Sequence, residues 1–573
     1  MCGIAGIISN SEDETGPKLK RMLCAMQHRG PDGVGIMIDG KMEHKRKIDE
    51  IKLLLKKGEI GLGHVRLAIT GGLDGLQPFQ SRNGELTLLH NGEIYNYREL
   101  KSLINTQWKT DTDSEVIIRL IEKYYKGDLE EAVKQVLPLL DGVYALVITD
   151  NNNTIIVRDK IGVKQLYYSI NGQNIAFASE KKPLWAINGT DVKIERLLPG
   201  YMAVIKNNKV TNHQYWSAES LKSSNLITAT DEAIKKYGDA IQHAVEKRVK
   251  GKDRVGIIFS GGIDSLLIAN EVQKLRIPFT CYTVGREGAR DIEWAKKIAG
   301  EFDFPLNIKI LSTKEIKGLI PQIINDIEDC SLNQIEVSIP IYVAVRMAQE
   351  AGERVILTGQ GPDEIFGGYP WYAKIVDQEG YQSFVNYSWD DTFLLYKECM
   401  EREDKIAMAH SIELRIPFLD PEVIRTAFEI SPELKINKGN DILGKQIHRK
   451  YGISRGISKE IAYRKKEAAQ HGANIHDAFT EIAKNSGLTE ELMINVNYDP
   501  DITMHEKLGS SSRYGYKYGD HNLWKPLSYV QYYLDIEAAK LGILPEKIHE
   551  YLQATINKSK ELKLLFSEEL KCA

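Results

Sequence analysis

Cys2 stands second in the chain, so removal of Met1 would make it the N-terminus. A cysteine there carries nucleophile and base on one residue: the thiolate attacks, and the free α-amine takes and returns the proton. That amine titrates near neutral pH without help, at about 7.7–8.0, whereas a catalytic carboxylate or lysine usually needs a large shift. Behind Met1 the same thiol has only a peptide nitrogen beside it, which is no base. The chemistry predicts a functional protein that starts at Cys2. A second signature lies at residues 255–265, VGIIFSGGIDS. It reads as a buried strand ending in Ser260, Gly261 and Gly262, with a helix opening near Asp264 and Ser265. Glycines let the backbone wrap phosphate oxygens, and a helix N-terminus adds free N–H groups and partial positive charge. The spacing lacks the Gly-Lys-Ser/Thr ending of the kinase-type loop. Asp264 suits magnesium, since a hard cation bridging phosphates wants a carboxylate oxygen.

Four further segments carry polar residues that a strand-rich core does not require: 27–33 (QHRGPDG), 64–70 (HVRLAIT), 90–96 (HNGEIYN) and 110–115 (TDTDSE). Amide hydrolysis needs a donor pair for the developing oxyanion, and the Asn91 side-chain amide with the Gly92 backbone N–H can supply it. Arg66 suits a carboxylate through a planar two-pronged contact, and Asp113 suits an ammonium. Each also has a plainer reading. Asn-Gly is a common hairpin turn, and Asp113 could cap the helix after it.

The elements that must hold these residues fall into two textures. Up to about residue 215 short β-like runs (2–9, 60–70, 85–90, 143–149, 154–158, 174–178) are split by glycine, with two helical stretches near 16–26 and 114–125. That mixture predicts an α+β sandwich. Residues 216–230 are polar and weakly patterned and read as a linker. From 231 buried-looking strands (255–259, 279–284, 355–358) alternate with helices, which indicates a parallel α/β sheet. After about 420 the chain reads mostly helical, with a helical tail from about 480. The last residues, KSKELKLLFSEELKCA, read as a solvated amphipathic helix without chemistry.

A chain of 573 residues predicts two or three domains, and 42% hydrophobic with 27% charged residues is a globular balance. A net charge of −4 gives no reason to expect nucleic acid or an anionic membrane as partner. No apolar run approaches the ~20 residues of a membrane helix, and the N-terminus lacks the pattern of a secretory signal. Six scattered cysteines without CxxC spacing suggest reduced thiols in a cytoplasm.

With the N-terminal CGIAG, the four polar segments resemble the glutaminase domain of N-terminal nucleophile amidotransferases, and within that group the asparagine synthetases. The likeness continues through 140–145 (LDGVYA), 158–167 (RDKIGVKQLY) and 177–180 (FASE). It implies an αββα sandwich over 2–215 in which Arg66, Leu67, Ala68, Ile69, Thr70, Asn91, Gly92, Glu93 and Asp113 bind glutamine. The 255–265 loop resembles that of PP-loop ATPases, which cleave ATP between the α- and β-phosphates, as adenine nucleotide alpha hydrolase-like domains do. By this resemblance Phe259, Ser260, Gly261, Gly262, Asp264, Ser265, Val284, Thr358 and Gly359 contact ATP, and Asp264 and Asp363 hold Mg²⁺. The pattern ends at 464–467 (RKKE), where Lys466 matches the lysine that stabilises charge during adenylation and ammonia attack. The substrates implied are glutamine, aspartate and ATP, with ammonia passing through a channel between the domains; a homodimer is compatible with the pattern.

Two departures stand out. Gln165 replaces a usual proline, read as a loop variation far from the chemistry. The usual SGEGSDE is TGQGPDE here, with Thr358, Gln360 and Pro362. The usual glutamate is implicated in forming the acyl-adenylate; Gln360 keeps the shape and an acceptor oxygen but is neutral. Either orientation alone suffices, or another carboxylate such as Glu364 compensates, or the acceptor is not aspartate. The alternatives to an asparagine-forming enzyme are therefore a related amidotransferase with another carboxylate acceptor, and a catalytically silent regulatory homologue. A lactam former is disfavoured, because it uses an internal amine and needs no Cys2 glutaminase.

Overall fold

Period-two alternation in the first 215 residues sorts side chains onto two faces of each strand, and both faces turn out to be covered. A computed structural model of the chain describes residues 2–223, 225–465, 467–503 and 527–566. One antiparallel sheet has seven strands in the order Ile194–Arg196, Tyr167–Asn171, Asn174–Ala178, Cys2–Asp13, Gly58–Arg66, Gly33–Ile38 and Lys41–Lys45. The other has six, in the order Lys209–Gln214, Tyr201–Lys206, Thr154–Arg158, Gly142–Thr149, Thr87–Ile94 and Phe79–Gln80. Ile4, Met37 and Leu62 of the first sheet meet Leu89, Ala145, Val147 and Ile156 of the second in one buried cluster between them. The alternate residues Leu88, Tyr144, Leu146, Ile148, Ile155 and Val157 face outward and are covered with Val116, Ile117 and Leu120 of the helix Ser114–Tyr124. Ala5 and Ile7 face the other way, onto Leu19, Met22 and Leu23 of the helix Thr15–Ala25. The layers are therefore helix, sheet, sheet, helix, as expected. Coverage on both faces is why 143–149 reads as an unbroken apolar run.

More elements exist than the sequence shows at first reading. The helices Tyr97–Ser102, Leu129–Val136 and Lys182–Asn188 join the expected two, the second capped by the Asp128 side chain on the Glu131 N–H. The strand expected over 60–70 ends at Arg66, and the chain leaves the sheet there. Two hairpins are carried by turn chemistry: Asp39–Gly40 and Asn207–Asn208 both take positive φ, as tight two-residue turns require.

Beyond residue 220 a five-stranded sheet runs in the order Leu306–Ile310, Phe279–Gly285, Val255–Ile258, Val355–Leu357 and Glu413–Arg415, with parallel pairing among the first four. Strand order reverses between Val255–Ile258 and Val355–Leu357, and in such sheets the crevice at the carboxyl ends beside the reversal receives ligands. Contacts divide the chain into two units: residues up to Ser220 with Met408–Glu413, and Leu221–Ala407 with the chain from Leu414 on. Residues 216–230 are not wholly loose, since Ile227 bridges to Ile430 within the second unit. The tail is helical where described (Ile475–Asn485, Glu490–Asn495, Ser528–Lys540, Glu546–Asn557, Lys560–Phe566). Its last helix is not simply solvated: Leu562 and Phe566 are buried, while Leu564 is exposed. Among the described residues no helix is long and apolar enough to cross a membrane.

Candidate functional site

Strand pairing sets Cys2 opposite Arg66 at the end of the first sheet. The Cys2 backbone nitrogen lies 2.9 Å from Asn91 Oδ1. Asn91 sits inside the strand Thr87–Ile94, opposite Ala145, so Asn91–Gly92 is no hairpin turn. It is fully buried, and its Nδ2 has no hydrogen-bond partner among the described residues. A buried donor without a partner costs stability, which marks it as a group kept for a ligand. Gly92 has φ +156°, and a Cβ there would run into the Val143 carbonyl. The Cys2 carbonyl accepts from Arg29 Nε at 3.0 Å, and the buried Arg29 is held by Glu180 at 2.8 Å. Burial by itself pushes the Cys2 thiol up, but neighbouring positive charge, His64 first, then the chain's N-terminal amine and Arg66, outweighs it and brings it down to about 5. His64, also fully buried, has its Nε2 3.1 Å from the His90 carbonyl.

The segment after Arg66 builds a pocket wall. Leu67 is buried with Met408, and Ile69 packs on them. The Ala68 N–H donates to Asp32 at 2.8 Å, and the Thr70 hydroxyl donates to Glu93 at 2.6 Å. Asp113 accepts from the Ile94 N–H at 2.9 Å and makes no side-chain cap to its own helix. Arg66 departs from expectation: its terminal nitrogens bond the carbonyls of Thr70, Gly72 and Gly75. A two-pronged grip on a carboxylate requires that loop to release them, because a buried guanidinium takes the nearest carbonyls when none better is offered. Its Nε is buried without a hydrogen-bond partner among the described residues.

Burial, reinforced by the Glu93 carboxylate, raises the Asp113 carboxyl to about 8. An ammonium would bind only its ionised form. Below the raised value each pH unit should therefore weaken binding about tenfold. Glutamine KM should fall as pH climbs from 6 to 8 and level off above, while Asp113→Asn gives a high, flat KM. Steady-state glutaminase kinetics across that range are the check; a wild-type KM that is flat would remove Asp113 from the site.

The second site is a cavity of about 150 Å³ at the strand-order reversal, lined among others by Ser260, Gly262, Asp264, Ser265, Thr358, Gly359 and Gln360. The helix Ile263–Lys274 opens at the loop, and Gly261 takes φ +65° with no room for a Cβ. Lys445 was not read from the sequence. Its buried ammonium joins Asp264 Oδ2 and Asp363 Oδ1, each at 2.8 Å. His448 Nε2 reaches Asp264 Oδ1 at 3.0 Å, and its Nδ1 lies 2.7 Å from the Tyr237 hydroxyl. Burial lowers His448, which favours the neutral ring beside Asp264. Arg464 donates to the Gly261 carbonyl at 2.8 Å and to Asp291 at 2.7 Å, which fixes the loop. Lys445 immediately precedes the helix Gln446–Ser454, in the left-handed region, and His448 and Arg449 lie in the first turn of that helix.

Asp363 does not line the cavity but reaches it through Lys445. The donor set fits magnesium: two carboxylates already converge on one positive charge. Among the described residues no three metal-ligating side chains gather, so phosphate and water oxygens would complete such an ion. Phe259 and Val284 are buried and do not line the cavity; the Phe259 ring packs on Phe304. Lys466 lies outside the described residues, while Lys465 and Glu467 line the cavity. Glu364 does not partner Gln360. It accepts from the Tyr369 hydroxyl at 2.7 Å, and burial raises it to about 7. The carboxylate beside Gln360 is Glu403, at 2.7 Å.

Comparison with known proteins agrees with both halves. The glutamine amidotransferase domain model matches residues 1–238, and the asparagine synthase model matches 236–385 and 377–497. A putative glutamine-hydrolysing asparagine synthetase of Methanocaldococcus jannaschii is 34% identical over 86% of this chain and 97% of its own. The nodule asparagine synthetase of Pisum sativum is 28% identical over 87% of this chain and 83% of its own. With the buried Cys2 thiol beside an unspent amide donor in one unit and a glycine turn at a strand reversal in the other, the chain belongs to the glutamine-hydrolysing asparagine synthetase family.

Proposed function

We propose that the protein makes L-asparagine and L-glutamate from L-aspartate, L-glutamine, ATP and water, releasing AMP and pyrophosphate. Cys2 attacks the glutamine side-chain amide and frees ammonia, leaving a glutamyl thioester that water hydrolyses. Asn91 and Gly92 stabilise the oxyanion, while Arg66, the Leu67–Thr70 wall, Glu93 and Asp113 hold the amino-acid end. At the second site the backbone around Phe259, Ser260, Gly261, Gly262, Ser265, Val284, Thr358 and Gly359 takes ATP. Asp264 and Asp363 would hold Mg²⁺, which shields phosphate charge when bound. Aspartate becomes β-aspartyl-AMP, and ammonia displaces AMP with Lys466 offsetting charge.

The observation that carries the reading is the Cys2 nitrogen 2.9 Å from Asn91 Oδ1, with Nδ2 left over for an oxyanion. Loss of Met1 turns that nitrogen into the amine the chemistry requires. The test is product analysis with ATP, aspartate and glutamine: AMP, pyrophosphate and asparagine are expected in equal amounts. ADP with orthophosphate, or active protein whose mass retains Met1, overturns the reading.

A further inference from the structure

Gln360 stands on the rim of the second cavity as a neutral amide, a side chain that can present either a donor or an acceptor to a ligand. Its neighbour removes that ambiguity. Gln360 Nε2 donates to Glu403 Oε1 at 2.7 Å; burial raises the Glu403 carboxyl, but the Arg402 guanidinium on the same oxygen opposes that and favours the ionised form, which can only accept. The amide nitrogen is thereby committed to Glu403, which leaves the carbonyl oxygen for the cavity side.

Glu403 is fully buried, with Arg402 as its cationic partner: Arg402 reaches the same Oε1 at 3.3 Å. Arg402 is in turn fixed by Gln334 Oε1 at 2.8 Å and the Glu398 carbonyl at 3.2 Å. The other oxygen, Glu403 Oε2, is buried without a hydrogen-bond partner among the described residues. A pair kept for stability alone would not leave a carboxylate half satisfied, since apolar packing is cheaper there. The backbone supplies a further sign. Arg402 and Glu403 begin a helical stretch (Glu401–Ala409) directly after a π-helical turn, Tyr396–Met400. Such a turn inserts a residue and rotates the helix beyond it, and it recurs at functional sites.

We propose that Glu403 is a positioning residue of the synthetase site, which locks the Gln360 amide so that its carbonyl oxygen receives the ammonium of the amino-acid acceptor. This rests on the asparagine-forming reading above. It assigns acceptor recognition to a buried pair that shares amide and carboxylate, in place of one charged side chain at the rim.

The experiment is ammonium-driven synthesis at saturating ATP, which bypasses Cys2, with aspartate varied. Glu403→Gln should raise aspartate KM about tenfold or more, the scale of one hydrogen bond to a charged group, with ATP KM within about twofold. Gln360→Glu sets two carboxylates together and should be as poor. The double variant Gln360→Glu with Glu403→Gln exchanges the partners and should return aspartate KM to within about threefold of wild type. Thermal midpoints accompany each. An unchanged aspartate KM in Glu403→Gln, or a double variant no better than the singles, overturns the proposal. If Glu403→Gln does not fold, Gln360→Leu, which leaves the Arg402 pair intact, decides: unchanged aspartate KM again overturns it. The wild type separates the two claims. Pyrophosphate release with another acid and not aspartate sinks the asparagine reading alone, and the exchange is then scored with that acid; no release with any acid sinks both.

Discussion

Cys2→Ala should abolish asparagine formation from glutamine while leaving formation from added ammonium. The expected loss is at least ~10³-fold, because the only chemistry left is what oriented donors can do without a nucleophile. The structure explains why no neighbour substitutes. Arg29 pins the Cys2 carbonyl and Asn91 its nitrogen, so the thiol is held at one point of a buried site. The second reaction is assigned to a separate unit, so removing the thiol sulfur leaves its machinery complete. Parallel assays with glutamine and with ammonium read the result. If the ammonium-driven rate disappeared too, the division of labour between the units would be wrong.

The mirror experiment is Asp264→Asn. Both nitrogen sources should fail, by about 10²–10³-fold, while glutamine hydrolysis stays measurable. Asp264 is the point on which Lys445 and His448 converge, and its side chain remains 16% accessible at the cavity. The substitution keeps shape and removes charge, so a hard cation would lose this carboxylate while Lys445 keeps its Asp363 partner. Breaking a buried ion pair can also cost about 3–5 kcal/mol of stability. Retained glutaminase turnover and a cooperative melt distinguish lost chemistry from lost folding. Pyrophosphate release near the wild-type rate would take Asp264 out of the nucleotide site.

Sequence reading singled out residues for two chemistries and left most of their supports unnamed. Cys2, Asn91, Gly92 and Asp264 stand out in the sequence because each lies in a short run whose residue types suit one reaction. Arg29 and Glu180 were visible as letters of QHRGPDG and FASE, but nothing local says that an arginine 27 residues away holds the Cys2 carbonyl. Lys445 and His448 escaped for the same reason: they approach Asp264 across more than 180 residues. Glu364 was offered as the compensating carboxylate on proximity in sequence, whereas the fold turns it toward Tyr369 and brings Glu403 to Gln360. The hairpins at Asp39–Gly40 and Asn207–Asn208 were missed although their turn residues are explicit.

By itself the sequence determined which reactions are on offer and the layered architecture that hosts them. Apolar periodicity and glycine placement act locally, through backbone sterics and through which faces must leave water. Tertiary structure alone decided which charge meets which. Buried ion pairs and orphaned donors depend on elements far apart in the chain arriving at one point, and no window of residues encodes that arrival. A surface Lys445 and a buried one that bridges two carboxylates look alike until the sheet order sets Val255–Ile258 beside Val355–Leu357.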